Sequence, residues 1–236
     1  VLHSQRLLKS AKMVDFESPY SIDEIEKAKY DALRANKLED AYVRAVAWRG
    51  AGADMGVASL RNPVNLAVAT WSWGNYYGDA KMKGAKLDVA KWQRPDPKTA
   101  PFEAKAAGLY MIATMSKHTA EANGCSDAMM MDYRGYVAEA TGANIFFVKD
   151  GEVHTPTPDA FLNGLTRQTV IEMLTKMGVK VHERHILPGE LEDFSQCWLT
   201  GSAAEITPVG QIGNYNFEVG ELTQAVSKNY EQLVRE

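Results

Sequence analysis

Residues 136–148, Tyr-Val-Ala-Glu-Ala-Thr-Gly-Ala-Asn-Ile-Phe-Phe-Val, form a largely apolar stretch with a turn signal at its middle. The pattern predicts one strand that ends at Glu139 and a second that begins at Asn144. A carboxylate in such surroundings is costly to bury unless a partner neutralises it. On these residues alone, an exposed turn glutamate is favoured over a buried group with a cationic partner.

Strands and helices are mixed on both sides of this stretch. The capping box Ser21-Ile-Asp-Glu24 predicts a helix to about Asn36. We expect further strands at 42–48, 65–73, 86–92, 128–132, 179–183, 197–200 and 205–209, and helices at 106–123, 166–176 and from 222. Mixed elements in two blocks predict an α/β (α+β) protein of two domains with a cleft between them.

The expected boundaries follow composition. Residues 1–72 form a small N-terminal domain, residues 85–236 form a large domain, and the Gly- and Lys-rich residues 73–84 form the linker. The chain starts at Val1 in a helix-like run, so we expect the first domain to be incomplete, as in an N-terminally truncated protein.

Composition excludes several classes of protein. The net charge is -4, which does not suggest a nucleic-acid-binding protein. No signal peptide or apolar run of membrane-spanning length is visible, so no membrane partner is expected. The two cysteines, Cys125 and Cys197, cannot build a disulfide framework, which favours a reducing cytoplasm. The pair His182 and His185 has the wrong spacing for a metalloprotease helix, and we expect no metal site.

Lys105 lies in Phe102-Glu-Ala-Lys-Ala-Ala-Gly-Leu-Tyr110, among small apolar residues. Limited solvation would favour the neutral amine that a Schiff-base lysine needs. Most lysines at a helix start are simply solvated, and Tyr110 could equally be a core aromatic residue.

Two further segments have the character of anion sites. Gly164-Leu-Thr-Arg-Gln-Thr-Val170 begins a predicted helix, whose first amides and positive dipole end suit a phosphate. We expect Thr166 to cap that helix. Gly201-Ser202 offers a second hydroxyl in a turn. Each motif is weak alone, because any capped helix or polar turn looks similar.

Tyr42 and Arg44 share a strand face by period-2 alternation. Trp73, in Trp71-Ser-Trp-Gly74, follows the next predicted strand. Alone, these residues describe an amphipathic strand and a core or linker tryptophan.

The order and spacing of these segments resemble the branched-chain amino acid aminotransferases of the class IV pyridoxal-phosphate-dependent family. The resemblance covers nearly the whole chain, from His3 to Glu236. It implies the D-amino-acid-aminotransferase-like fold, called fold type IV, and pyridoxal 5'-phosphate as cofactor. It also implies transfer of the amino group of leucine, isoleucine or valine to 2-oxoglutarate.

The resemblance implies a role for each residue at the cofactor. Lys105 is the catalytic lysine that binds the cofactor and shuttles the proton. Tyr110 binds the ring hydroxyl oxygen, and Glu139 binds the pyridine nitrogen. The remaining cofactor residues are Asn144 beside Glu139, and Leu165, Thr166 and Ser202 at the phosphate.

The resemblance also implies the substrate residues. Tyr42 and Arg44 lie at the substrate carboxylate, Trp73 lines the side-chain pocket, and the turn at Ser202 and Ala203 presents amides to the carboxylate. Amino acids and 2-oxo acids are therefore the expected partners, and the protein is expected to be a homodimer or a higher homo-oligomer.

Two departures from the family pattern matter. Ala143 stands where relatives commonly carry glutamate, although Asn144 is kept. The Phe-Glu-Gly-x-Arg segment that precedes this region in relatives, and whose arginine binds the phosphate, is not in the sequence. Alternatives therefore stay open: a D-amino acid or (R)-amine aminotransferase, an aminodeoxychorismate lyase of the same fold, or a catalytically silent fragment.

Overall fold

The computed structural model describes residues 1–52, 56, 60–73 and 83–235. These residues divide into two compact units. The first unit contains the described residues up to 73 together with 103–106, and the second contains 83–102 and 107–235. Residues 74–82 of the predicted linker lie outside the described residues.

The first unit packs two helices and a strand pair. Helix α1 spans Leu2–Met13, helix α2 spans Ile22–Ala35, and strands β1 and β2 span Tyr42–Arg49 and Val64–Trp71. The predicted capping box begins α2: Ser21 Oγ accepts a hydrogen bond from the Glu24 amide, and the Glu24 carboxylate accepts one from the Ser21 amide. The expected helix and its start are therefore confirmed.

Strands β1 and β2 are antiparallel, with Tyr42 opposite Trp71. Arg44, Val46 and Trp48 are exposed while the alternate residues are half-buried, which confirms the predicted alternation. Strand β2 was expected to reach Trp73 but ends at Trp71. It ends there because β1 begins at Tyr42 and offers no residue beyond it to pair with.

The second unit contains a large mixed sheet. Its strands are β3 (Ala85–Val89), β4 (Asp127–Met131), β5 (Val137–Ala140), β6 (Asn144–Lys149), β7 (Glu152–Pro156), β8 (Val181–Arg184), β9 (Gln196–Gly201), β10 (Glu205–Ile212) and β11 (Tyr215–Asn216). Among the described residues the strand order is β5-β4-β3-β10-β9-β6-β7-β8, with β11 paired to β10. The central strand β9 pairs with β6 and β10 on its two sides.

Three α-helices accompany this sheet in the described part of the second unit. They are α3 (Met111–Ala122), α4 (Leu165–Lys176) and α5 (Glu221–Leu233). Two 3₁₀ turns cover Ala107–Tyr110 and Pro188–Asp193. The predicted helix at 106–123 therefore starts as a 3₁₀ turn and ends, as expected, before Gly124, whose φ of +75° suits glycine.

Sequence reasoning missed β7 and β11. Strand β7 reads Glu-Val-His-Thr-Pro, and a proline ordinarily argues against a strand. It forms because it lies between β6 and β8 and pairs with both. The strand expected at 86–92 also ends early, at Val89.

Strand β6 is buried on both faces, which explains its continuous apolar run. Phe146 stacks on Trp198 at a centroid distance of 5.5 Å, in a cluster with residues of α4 and α5. Phe147 belongs to a second cluster and stacks on Phe194 at 4.9 Å. Each buried phenylalanine contributes about 1.5–3 kcal/mol, so β6 is a rigid base for residues at its two ends.

No helix in the described part of the chain is both long and apolar enough to cross a membrane.

Candidate active site

Glu139 is buried in β5, whose four residues all lie in the interior. Only 5% of its surface is exposed. Its Oε1 lies 2.6 Å from Nη2 of Arg94, which is also buried. Glu139 is therefore a buried carboxylate with a cationic partner, and the exposed turn position that the residues alone favoured is wrong.

Asn144 joins Glu139 to the start of α4. Its Nδ2 donates hydrogen bonds to Glu139 Oε2 at 3.2 Å and to the Leu162 carbonyl at 2.9 Å. Its Oδ1 accepts a hydrogen bond from the Gly164 amide at 3.1 Å. Both ends of its amide are thus used, and the first residue of β6 fixes the loop that leads into the helix.

Helix α4 begins at Leu165 with Gly164 as its N-cap. The expectation that Thr166 is the cap was wrong. Gly164 occupies that place because a Cβ there would lie 2.4 Å from Asn144 Oδ1. No side chain caps the described helix start, and the first-turn amides and dipole of a helix generally favour a nearby anion.

Thr166 is buried at the start of α4, where its hydroxyl shares a hydrogen bond with Tyr230 of α5. Burial raises the pKa of Tyr230 above its ordinary value, which keeps this phenol neutral. The hydroxyl of Thr166 is therefore held in place by a second helix.

Arg167, the next residue, is an anchor that sequence reasoning missed. It is 1% exposed, and its guanidinium donates to Glu183 Oε2 at 2.7 Å, the Pro156 carbonyl at 3.0 Å and Asn163 Oδ1 at 3.0 Å. Burial lowers the pKa of Arg167, and Glu183 opposes this change. These contacts tie the start of α4 to β7 and β8.

The turn Ser202-Ala203-Ala204 follows β9 directly. Ser202 is exposed and Ala203 is half-buried. Thr200, two residues before Ser202, lies opposite Asn144 in the β6–β9 pairing. Its Oγ1 is buried and has no hydrogen-bond partner among the described residues. Sheet pairing therefore brings this turn next to the strand that carries Asn144.

Tyr110 closes the 3₁₀ turn Ala107–Tyr110. Its half-buried ring packs against a cluster that includes Ala113 and Met130. The carbonyl of its neighbour Leu109 accepts a hydrogen bond from Arg94 Nη1 at 3.1 Å. Arg94 thus contacts both the turn that carries Tyr110 and the carboxylate of Glu139.

Lys105 belongs to the first unit. Its backbone amide donates to Ser10 Oγ of α1 at 3.0 Å, and nearby Glu103 pairs with Lys9 at 3.1 Å. Lys105 is exposed, so its alanine neighbours do not remove it from solvent as the sequence suggested. The backbone of Lys105 is therefore anchored, while the residue as a whole is exposed.

Tyr42 and Trp73 form an aromatic cluster with Trp71 in the first unit. The centroid of Tyr42 lies 5.2 Å from that of Trp71 and 4.9 Å from that of Trp73, and the two indoles are 5.6 Å apart. Trp71 was missed, although the antiparallel pairing with Tyr42 places it there. Arg44 lies on the same strand face as Tyr42 and is exposed.

These groups match the needs of an aromatic phosphate cofactor with a basic ring nitrogen. The second unit supplies a buried carboxylate, helix amides with a neighbouring hydroxyl, and an unpartnered buried hydroxyl at Thr200. The donor set therefore fits pyridoxal phosphate. In the described part of the chain, no cluster of histidine, cysteine, aspartate and glutamate could hold a metal ion.

Comparison with known proteins agrees with this geometry. Residues 2–212 match the sequence model of the amino-transferase class IV family. The probable branched-chain-amino-acid aminotransferase of Rickettsia felis is 37% identical, and the match covers 99% of this chain and 81% of that protein.

Two solved structures extend the likeness to the fold. The branched-chain amino acid aminotransferase of Escherichia coli superposes with a TM-score of 0.94 at 32% identity, over 98% of this chain and 77% of that chain. An aminotransferase from Brucella abortus, bound to the cofactor PLP, has a TM-score of 0.90 at 29% identity, over 100% of this chain and 83% of that chain. The predicted fold class is thereby confirmed.

Proposed function

The chain belongs to the class IV aminotransferase family, and from that premise we propose that it transfers the amino group of leucine, isoleucine or valine to 2-oxoglutarate with pyridoxal 5'-phosphate. The buried Glu139, held beside the anion site of α4, is the observation that carries this proposal. The likeness to branched-chain aminotransferases, which covers 99% of this chain and 81% of the Rickettsia felis protein, supports the choice of substrates.

The bound cofactor supplies an electron sink that acidifies the substrate α-carbon. Glu139 would hold the proton on the ring nitrogen, and Tyr110 would orient the ring through its hydroxyl oxygen. The amides of Leu165 and Thr166 with the hydroxyls of Thr166 and Ser202 would bind the phosphate. Asn144 accepts a hydrogen bond from Gly164 and so fixes the loop before these groups.

Lys105 is the proposed attachment point of the cofactor and the base that moves the α-carbon proton. Its exposed position and its anchored backbone support this role. Arg44 and Tyr42, with the amides of Ser202 and Ala203, are proposed to bind the substrate carboxylate. Trp73 is proposed to contact the aliphatic side chain within its aromatic cluster.

Substrate profiling tests the proposal. The full chain with added pyridoxal phosphate is assayed with L-leucine, L-isoleucine and L-valine against D-alanine, an (R)-configured amine and aminodeoxychorismate. We expect the branched L-amino acids to give the highest kcat/KM. Preference for a D-amino acid, for the (R)-amine or for lyase chemistry would replace the proposal. A chain that binds cofactor but turns over none of these substrates would mark a silent fold.

We further propose that the protein acts as a homodimer or higher homo-oligomer in the cytoplasm, with domains at 1–72 and 85–236 joined by residues 73–84. Cys125 and Cys197 are free thiols, which suits a reducing compartment. Light scattering at micromolar concentration tests the assembly, and an active monomer would contradict it. Limited proteolysis tests the boundaries, which predict first cleavage within the linker.

A further inference from the structure

Arg94 contacts two separate parts of the proposed cofactor site. Its Nη2 lies 2.6 Å from Glu139 Oε1, and its Nη1 donates to the Leu109 carbonyl at 3.1 Å. Leu109 directly precedes Tyr110 in the same 3₁₀ turn. One guanidinium thus joins the carboxylate proposed for the ring nitrogen to the turn proposed for the ring hydroxyl.

The pair of Arg94 and Glu139 lies almost entirely away from water. The exposed fractions of the two side chains are 9% and 6%. Removing two charges from water costs several kcal/mol for each, and a well-packed apolar pair often stabilises a protein as well or better. Stability alone therefore gives a poor account of the pair, and its contacts point to a role in the site.

Glu139 is held at both oxygens. Arg94 binds Oε1, and Asn144 Nδ2 donates to Oε2 at 3.2 Å. A carboxylate bound at both oxygens cannot rotate freely, so these two contacts orient it. The backbone of Arg94 is itself anchored, because its amide donates to the Met131 carbonyl at 2.8 Å.

Loss of the guanidinium would change the charge of the site. A buried carboxylate without a cation takes up a proton more readily. A protonated Glu139 donates a hydrogen bond, so it would no longer hold a proton on a ring nitrogen. When Arg94 is present it keeps Glu139 ionised, and it would thereby control the protonation of the cofactor's ring nitrogen without contacting the cofactor.

We propose that Arg94 is a positioning residue that holds Glu139 as an oriented carboxylate for the pyridine nitrogen and ties it to the turn of Tyr110. This inference rests on the proposed function. It adds a residue that the sequence motifs did not single out, on a loop after β3 rather than on β5.

The test compares Arg94→Met and Arg94→Lys with the wild-type full chain. The matched controls are Arg184→Met and Arg184→Lys, since Arg184 also forms a 2.7 Å pair with a glutamate, Glu190, outside the proposed site. Three quantities are measured: the pH titration of the bound cofactor's visible absorption, kcat and KM for leucine, and the thermal unfolding temperature without cofactor.

For Arg94→Met we expect the midpoint of the absorption titration to move by about one pH unit and kcat to fall about ten- to a hundredfold, with a smaller change in KM. Lysine keeps the positive charge but lacks the two guanidinium nitrogens that contact Glu139 and Leu109 separately. The titration midpoint and kcat of Arg94→Lys should therefore lie between those of wild type and Arg94→Met. In a Glu139→Gln background, Arg94→Met should not move the titration further. The Arg184 variants should leave the midpoint of the absorption titration and kcat unchanged.

An Arg94→Met protein that unfolds earlier but keeps the wild-type titration and kcat would overturn the inference, because only a structural role would remain. If Arg94→Met does not fold, Arg94→Lys decides: a shifted titration relative to Arg184→Lys supports the role, and an unchanged one overturns it. A wild-type chain that shows no cofactor absorption would instead overturn the proposed function, and the inference with it.

Discussion

The groups around Glu139 and the groups around Lys105 differ in how firmly the protein holds them. Glu139, Asn144 and Thr166 are buried, and each is fixed by hydrogen bonds to partners on other segments. Lys105 and Arg44 are exposed, and the backbone of Lys105 is anchored through Ser10. The first set is packed in the interior, whereas the second set is exposed to solvent.

This difference corresponds to the proposed division of labour. A cofactor that stays bound through many turnovers is best served by groups locked in one arrangement. An amine that bonds a cofactor and then moves a proton must change position. Burial should therefore predict whether a substitution alters the state of the cofactor or the chemistry at the α-carbon.

The largest expected effect is that of Lys105→Ala. Turnover should fall about a thousandfold or more, because both the attachment point and the proton carrier are removed. Borohydride reduction followed by peptide mapping should place the cofactor on Lys105 in wild type. The exposed Lys98 serves as the control position. An adduct on any other lysine would show that Lys105 is not the attachment point of the cofactor.

Glu139→Gln should retain the cofactor but reduce kcat by about a hundredfold, since glutamine cannot favour a protonated ring. Each tenfold loss corresponds to about 1.4 kcal/mol of barrier. Steady-state kinetics and the visible absorption spectrum measure the change. Glu192→Gln, at an exposed position, should behave as wild type. Turnover of the Glu139 variant near that of wild type would mean that the carboxylate does not face the ring.

Gly164→Ala tests whether the rigidity of the buried region matters for the phosphate. The added Cβ would lie 2.4 Å from Asn144 Oδ1 and push the asparagine or the helix start aside. Affinity for pyridoxal phosphate should fall about ten- to a hundredfold, or roughly 1.4–2.7 kcal/mol. Equilibrium titration measures it. Gly189→Ala, where a Cβ meets nothing within 4 Å, is the matched control.

Trp71→Leu tests whether the packed aromatic cluster of Tyr42, Trp71 and Trp73 in the first unit contributes to substrate binding. Its ring contacts both Tyr42 and Trp73, and such pairs contribute about 0.5–1.5 kcal/mol each. The KM for leucine should rise about two- to tenfold with little change in kcat. The exposed Trp92 gives the control substitution. An unchanged KM would separate the aromatic cluster from substrate binding.

The smallest effect concerns stability of the first unit in acid. Hydrogen bonds from Lys29 and Ser4 lower the pKa of Glu26 from 4.5 to about 2. A lowered folded value means stability that is complete above pH 4.5 and is lost as the pH falls towards 2. Glu26→Gln should therefore lower the free energy of unfolding by about 1 kcal/mol at pH 7. It should also make the free energy of unfolding depend less on pH between 4.5 and about 2.

Urea unfolding at pH 7 and pH 3 measures this difference. Glu17→Gln, at an exposed position, should leave both values unchanged. A Glu26 variant whose loss is equal at the two pH values would show that the contact acts through packing rather than charge.

Sequence reasoning succeeded where the signal is local. The capping box at Ser21 and the alternation along β1 depend on neighbours in the chain, and the structure has both. The apolar run of β6 indicated a strand for the same reason. Family resemblance added the order of the motifs, which the comparisons confirm for the family and the fold.

It failed where a residue depends on distant partners. Arg94 lies in a proline-rich loop with no helix or strand pattern, and only folding reveals that it meets Glu139. Trp71 became visible only through its pairing with Tyr42. Thr166 looked like a cap because nothing in the sequence shows how close Asn144 comes to Gly164. The assigned roles of Lys105 and its companions stay predictions until the variants are measured.

The pairing of Asn144 with Thr200 has a consequence for the order of folding. These strands are far apart in the chain, and closing so long a loop is slow compared with forming a helix or a hairpin. The turn at Ser202 is therefore brought beside Asn144 only when β6 and β9 have paired. Pyridoxal phosphate should therefore slow unfolding while leaving the refolding rate almost unchanged. At a hundred times its dissociation constant it would add about 2.7 kcal/mol of stability.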